Sequence, residues 1–475
     1  MATGVTIDCA MDQSSPEQVK ASVARALITA LSSECAAYCM ISGYESLPDS
    51  FETDIDFMVG ASDFERVPVI IEHVAQQTGT RMFHTVSHEL SARSFSLGCQ
   101  LRENLVIIQP DSASDYRHFG KLWLRSEEVL AFRRWHQRGF WTPAAHHEFA
   151  YYLLKRINKR FLGPEHGAKL HRLYLQDPSQ CSDMIGRFWS GGSRDVIRQM
   201  ASTNDWGDME RALAGLRSEM IRNSAESPVE RIASSPKHLL HNVQRIAMPT
   251  GGWIAIMGPD GAGKSAVIEA LGKQFKFAYD KVKCFHLRPK VLRHGKETNE
   301  VVTHPHGKPP RGMLLSIAKM FYMIADYWLG YLLKIAPAMR RSQLIVFDRY
   351  VYDLLVDSKR IRYGGPAWLL RLTAKVVPRP NLVILLDAPA EVLWSRKQEV
   401  SFEEVKRQRD EYLAVTKRLL CGVVIDAGQP LPDVLRDVDN AVVKHYERRT
   451  AKRLHLGGRV VGPDRTKVQA PGQQC

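Results

Sequence analysis

The sequence predicts an α/β protein, with a parallel five-stranded sheet in its C-terminal half and a smaller α+β domain with a helical extension before it. Three observations predict this. A buried strand, a glycine loop and a helix start follow one another over Trp253–Ser265. Four further apolar runs, at 282–287, 344–347, 382–386 and 422–425, are separated by helical stretches, which implies a parallel sheet covered on both faces. Far upstream, Thr53-Asp54-Ile55-Asp56-Phe57-Met58-Val59 alternates polar and apolar residues at the strand period of two.

A chain of 475 residues holds about two to four domains by the usual length prior. Its 44% hydrophobic and 24% charged content fits ordinary globular cores. A net charge of +14 suits anionic partners, but the charge is uneven and does not by itself indicate nucleic acid; no stable nucleic-acid partner is expected. Eight scattered cysteines without a C-x-x-C pair read as reduced cytosolic thiols. Residues 1–18 lack the apolar run of a secretory signal, so a cytoplasmic location is expected. The stretch 313–338 is interrupted by Lys319, Asp326 and Lys334 and reads as a buried helix, not a membrane span.

The first domain is expected over residues 1–118. Pro16 to Ser32 has helical apolar spacing. Tyr38-Cys39-Met40-Ile41-Ser42-Gly43 then reads as a strand ending in glycine, ahead of the Asp54/Asp56 strand. Two carboxylates one residue apart on a strand share a face, while Ile55 and Phe57 turn into the core. Such a pair suits Mg²⁺, which prefers hard oxygens; the other reading is a solvent-facing pair on an edge strand. This pattern resembles the nucleotidyltransferase superfamily of polymerase-β type, in which an apolar residue, a glycine and a small residue precede D-x-D. The resemblance implies a third carboxylate on a neighbouring strand, here Asp111 after Leu105–Pro110. Two features depart from that family: Tyr44 stands where a small residue is usual, and Pro110 argues against a central strand.

Residues 119–245 read as a helical extension and linker, with helices over 127–147, 146–161 and 204–224 and a tether near 233–236. The aromatics there recur at helical spacing and read as core. His146 and His147 receive no chemistry.

Residues 246–447 form the second working unit. Gly258-Pro259-Asp260-Gly261-Ala262-Gly263-Lys264-Ser265 matches G-x-x-x-x-G-K-[ST] in full. Gly258, Gly261 and Gly263 let backbone N–H groups turn inward around phosphate oxygens, and the following helix adds its positive end. Lys264 supplies a charge for the β- and γ-phosphates, Ser265 a hydroxyl for Mg²⁺. In parallel sheets the site lies at the carboxyl ends of the strands. There stand His286-Leu287-Arg288, Phe347-Asp348-Arg349-Tyr350, Leu386-Asp387-Ala388 with Arg396 beyond, and Ile425-Asp426-Ala427.

These motifs, with Phe347-Asp348-Arg349-Tyr350-Val351-Tyr352-Asp353-Leu354-Leu355-Val356-Asp357 and Arg362-Tyr363-Gly364-Gly365-Pro366, resemble the thymidylate kinase-like branch of the nucleoside monophosphate kinases, and bacterial thymidylate kinase-like proteins that accompany polysaccharide-synthesis genes. The resemblance spans about 200 residues, implies a P-loop NTPase fold, and carries roles with it. Lys264 and Ser265 would bind ATP·Mg²⁺. Asp348 would orient Mg²⁺ or its waters. Arg349 and Arg288 would hold the acceptor phosphate, and Asp260 would face the acceptor. Arg396 would begin the lid, with Arg407 or Arg409 closing over the phosphates, and Asp426 would lie beside the adenine. Asp326, Tyr327 and Tyr331 are expected as acceptor contacts, and Phe321, Trp328 and Leu332 as core. Met257 in place of a glutamate, and His-Leu-Arg-Pro after the second strand, depart from thymidylate kinases. The loop to Arg311 is long and basic, either a solvated surface or a lid for a larger anion.

The expected function is ATP γ-phosphoryl transfer to a small acceptor, a nucleoside monophosphate or a sugar-containing compound, by a chain that could pair as a dimer. Two alternatives stand beside it: an ATP-dependent switch or assembly partner in surface-polysaccharide synthesis, and a nucleotidyltransferase working through Asp54 and Asp56. Residues 448–475, with seven basic residues against Asp464, read as a disordered tail, either passively solubilising or in weak contact with an acidic membrane.

Overall fold

A computed structural model describes residues 14–102, 104–118, 121–207, 209–223, 243, 245–292 and 309–456. The expected tether near 233–236, most of the basic loop before Arg311 and the tail beyond 456 lie outside the described residues.

The first domain opens with a helix at Pro16–Glu34. Ser15 caps it, accepting from Gln18 N while the Gln18 side chain accepts from Ser15 N. This reciprocal pair satisfies two N–H groups that the first turn leaves orphaned. Five strands follow: β1 (Tyr38–Ser42), β2 (Asp54–Val59), β3 (Arg81–Glu89), β4 (Ala92–Gln100) and β5 (Leu105–Ala113), ordered β1-β2-β5-β4-β3. Ile55, Phe57 and Val59 pack with Val23 and Leu27 of the first helix and Ile71 and Val74 of the helix Val67–Gln77. The opposite face carries Asp54, Asp56 and Met58. Contrary to expectation, Pro110 sits in the central strand. The ladder to β4 lapses between the pairs Leu97↔Ile108 and Ser94↔Asp111, where a residue without an N–H is tolerated.

Two short hairpins come next, β6 (Tyr116–His118) with β7 (Lys121–Leu124), and β8 (Arg134–His136) with β9 (Phe140–Thr142). The second corrects the helix expected over 127–147, which ends at Ala131. Gly139, at φ +89°, supplies the left-handed residue of the reversal. Helices at Ala145–Lys159, Pro164–Gln176, Pro178–Phe188, Gly191–Thr203 and Met209–Arg222 build a separate core around Phe149, Leu153, Phe188 and Trp189, which also takes in Cys39, Ile41 and Met58 of the sheet.

The C-terminal sheet contains β10 (Gly252–Met257), β11 (Val282–His286), β12 (Leu344–Asp348), β13 (Leu382–Asp387) and β14 (Gly422–Asp426), all parallel, ordered β11-β12-β10-β13-β14. The strand before the glycine loop is therefore central and fully buried, which explains its unbroken apolar run. Register places Ile256 beside Asp348, His286 beside Asp348, and Asp387 beside Asp426, gathering the strand ends of the expected site on one edge.

Two further expectations change. The helix Leu431–Arg453 runs past 447, so the first residues of the expected tail are ordered: Arg449 donates to Gly251 O at 2.7 Å and to Pro249 O, and Arg453 to Thr85 O at 2.6 Å. That helix lies along β3, and Phe83 and Ile107 of the first sheet share one core with Phe275, Tyr279, Val443 and Tyr446. Finally, the helix Met313–Gly330 is buried on one face only, through Ser316, Met320, Met323, Asp326 and Tyr327. Phe321, Trp328 and Leu332, expected as core, are 60%, 43% and 57% exposed, in line with exposed Leu314. Among the described residues no helix is long and apolar enough to cross a membrane.

Candidate active site

The glycine loop leaves β10 at Gly258, whose φ of +146° and tight seat admit no side chain: a Cβ there would lie 2.6 Å from Leu386 O. Gly261 and Gly263 follow at φ +85° each, and the helix Lys264–Gln274 begins. Its first-turn N–H groups and positive end form the cradle that the motif predicts.

Lys264 folds back on its own loop, donating to Gly258 O at 2.9 Å and Pro259 O at 2.7 Å. Burial, reinforced by Arg349, pushes its ammonium down to about 7. The loop thus holds a poorly solvated cation where a triphosphate would supply the missing counter-charge.

Asp260 lies inside the loop between two guanidiniums. Arg349 Nη2 bonds its Oδ1, and Arg360 Nη2 lies 2.6 Å from its Oδ2. Burial opposes the charge, but Arg349, Lys264 and Arg360 outweigh it and hold the carboxyl below the usual range. Arg349, at φ +66°, is held in turn by Asp353 Oδ1 and Tyr412 Oη, both at 3.3 Å. Asp353 is buried and also accepts from Tyr412 Oη and Tyr350 N, each at 2.8 Å.

Asp348 ends β12 beside this cluster. Its Oδ2 lies 3.0 Å from His286 Nδ1, whereas its Oδ1 is buried with no hydrogen-bond partner. Ser265 is exposed on the first helical turn. An orphaned carboxylate oxygen and a hydroxyl are the hard donors Mg²⁺ takes together with phosphate oxygens and waters, so the residues present fit that ion.

Beyond β11, the Arg288 guanidinium stands over the Tyr322 ring at 5.1 Å and 3.5 Å from Asp326 Oδ2. Asp326 itself is fully buried. Its oxygens accept from Lys290 N at 3.2 Å, Val291 N at 2.7 Å and Leu292 N at 3.0 Å. This arrangement anchors the Arg288 loop from behind, so Asp326 does not present a carboxylate to a ligand. Tyr327 is likewise buried, its hydroxyl given to Leu287 O.

The expected lid residues diverge. Arg396 stays beside the glycine loop and donates to Ala427 O at 2.8 Å, next to exposed Asp426. Arg409 makes a two-pronged pair with Asp387 at 2.8 and 2.9 Å, and Arg407 is engaged by Glu404 and Glu411. The last two are held by carboxylates rather than turned over the loop.

His286 and Asp353 stood in the quoted motifs without a role, and Arg360 and Tyr412 were not singled out from the sequence. Asp353 was legible as a neighbour, since it stands only four residues after Arg349 in the same motif. Arg360 and Tyr412 were not, because they arrive from 100 and 63 residues away from Asp260 and Arg349.

In the first domain the sheet sets Asp56 opposite Asp111, two pairs along from Asp54↔Gln109. Burial and the charges of Asp56 and Asp54 lift Asp111 to about 7, while Ser94 Oγ donates to it at 2.6 Å. Lys155 Nζ lies 3.2 Å from Asp56 Oδ2. Among the described residues no group of three carboxylate, imidazole or thiol side chains is arranged to hold a metal ion. Tyr44 bonds Glu148 through its hydroxyl and packs edge-on to His136 and Phe140.

Residues 256–438 match the family profile described as thymidylate kinase. A probable thymidylate kinase of Pyrobaculum calidifontis is 30% identical over 204 residues, which are 39% of this chain and 93% of that protein. A probable thymidylate kinase of Archaeoglobus fulgidus is 27% identical over 196 residues, 40% of this chain and 93% of its own length. The thymidylate kinase of Chlamydia abortus is 27% identical over 206 residues, 40% and 94% of the two chains. None of these alignments extends over most of the chain, and each covers nearly the whole relative.

Proposed function

Because the chain belongs to the thymidylate kinase family and is a kinase, we propose that it moves the γ-phosphoryl group of ATP onto a phosphate oxygen of a small acceptor, a nucleoside monophosphate or a sugar phosphate. The observation that carries this reading is the junction of Lys264, Asp260, Arg349 and Arg360: the phosphate-binding loop and two guanidiniums meet at one carboxylate. An acceptor phosphate offers those guanidiniums the same charge and fork geometry as Asp260 does.

In the transfer, an acceptor phosphate oxygen forms a bond to the γ-phosphorus as the bond to the β–γ bridging oxygen breaks, and ADP leaves. Lys264 and the loop N–H groups hold the β- and γ-phosphates. Arg349, Arg360 and Arg288 align the acceptor and offset the charge spread over the transferred group. Arg396 steadies the Ala427 carbonyl beside the nucleotide, with Asp426 at its edge. Mg²⁺, held through Ser265 and the Asp348 oxygen, would neutralise phosphate charge. The exposed apolar line Leu314, Phe321, Trp328, Leu332 supports self-association through this helix.

The test is ADP release with a panel of nucleoside monophosphates and sugar phosphates, run on the parent and Lys264→Ala. Release that requires one acceptor and vanishes in Lys264→Ala supports transfer. Slow release indifferent to every acceptor sinks it and favours a switch.

A second reading is favoured by the opposition of Asp56 and Asp111 on neighbouring strands. In it the first domain transfers nucleotidyl groups. Pyrophosphate release abolished by Asp54→Ala but kept by Lys264→Ala would mark it.

A further inference from the structure

The apolar core joining the two domains ends in a polar seam. Two cavities open there, of about 330 and 290 Å³, and both include Arg245. The first adds Lys276 and Arg341 from the kinase domain; the second adds Arg93 of β4 and Arg453 of the last helix. Against these five cations the two linings contain one carboxylate, Asp280, which accepts from Gln343 Nε2 at 3.1 Å.

The cations are poorly compensated. Among the described residues Arg245, Lys276, Arg341 and Arg453 form no carboxylate ion pair, and Arg93 reaches only the exposed Glu65, at 3.9 Å. Burial, with Arg449 and Arg93 nearby, pulls the Arg453 guanidinium down to about 10. Each lining also holds a buried hydroxyl without a hydrogen-bond partner: Tyr279 Oη in the first, Thr85 Oγ1 in the second. Like charges crowded around unsatisfied hydroxyls are complementary to an anion rich in acceptor oxygens. Concave volumes of this size suit a small molecule.

The seam is separate from the kinase site. Tyr279 follows the far end of the helix that starts at Lys264, and Arg341 precedes β12, whereas Asp348 and the glycine loop lie at the opposite strand ends. A five-residue strand puts about 17 Å between those edges.

We propose that the seam between the two domains is a second binding site, for a phosphate-bearing small molecule. Such a ligand would bridge the first sheet and the kinase domain and join them more tightly than their apolar core alone.

The experiment is titration calorimetry of pyrophosphate, and separately of ATP, into the full Lys264→Ala chain, which cripples the glycine loop. Saturable one-to-one binding is expected. A Lys276→Ala/Arg341→Ala pair added to that chain should weaken it at least tenfold, while a control pair elsewhere on the surface, Lys417→Ala/Arg418→Ala, leaves it unchanged. Tighter binding of ATP than of pyrophosphate would identify a nucleotide as the ligand, and equal binding the phosphate group alone. Absence of saturable binding, or equal affinity with and without the seam pair, or equal weakening by the control pair, overturns the proposal.

Discussion

Arg360 Nη2 lies 2.6 Å from Asp260 Oδ2, a bond across 100 residues that brings a second guanidinium to the phosphate-binding loop beside Arg349. In the proposed transfer both arginines would exchange a protein carboxylate for an acceptor phosphate. Arg349→Ala should lower kcat/KM by about 10²–10³, as loss of a charge-stabilising donor does. Arg360→Ala, at a more exposed position, should cost about tenfold to a hundredfold, mainly in acceptor KM. Steady-state ADP release against acceptor concentration checks both; unchanged kinetics in Arg360→Ala would remove it from the site.

Lys264 gives a proton-linked signature. Its ammonium is pushed down by burial to about 7, below its ordinary value of 10.5. Nucleotide phosphates favour the charged form and raise that value again. Binding of ATP at pH 8 should therefore take up a proton, approaching one per site. Calorimetry in two buffers of different ionisation enthalpy measures the uptake. Equal heats in both buffers would contradict the shift, and Lys264→Met should show no uptake.

Asp353 holds the Arg349 guanidinium from behind. Asp353→Ala leaves a buried arginine short of its partner and Tyr412 short of an acceptor. A loss of about 3–5 kcal/mol is expected, against about 1 kcal/mol for Tyr412→Phe. Denaturant midpoints compare the two; equal losses would mean that the charge on Asp353 does little.

Asp439, on the helix that joins the domains, is buried, and burial lifts its carboxyl to about 7 from 3.8. The folded state then binds more protons than the unfolded chain between those values. Its contribution is present below pH 3.8 and is lost as pH rises to about 7. Asp439→Asn should gain about 1–3 kcal/mol at pH 8 and almost nothing at pH 4. A gain of equal size at both pH values would refute the ionisation account.

The exposed line along the helix Met313–Gly330 predicts association. Leu314→Glu/Phe321→Glu should convert a dimer to a monomer with ADP release per chain altered less than twofold, since neither residue lines the loop. Light scattering decides, and a parent chain that is monomeric at tens of micromolar would count against the reading.

Local pattern alone determined much of this protein. The glycine loop, the five apolar runs and the residues after each run are short-range features, set by backbone freedom at glycine and by burial on both faces of a parallel sheet, so they were legible without coordinates. The alternation that turns Asp54 and Asp56 away from Ile55 and Phe57 was equally local. Tertiary structure decided what depends on long-range approach. Arg360 meets Asp260, Tyr412 meets Arg349 and Asp326 disappears behind Arg288 only because distant segments are packed together. A helical period shows that Phe321 and Trp328 share a face, but not whether another element covers that face. Likewise the charge of Arg449 and Arg453 suggested a loose tail; the carbonyls of Pro249, Gly251 and Thr85 waiting for them exist only in the fold.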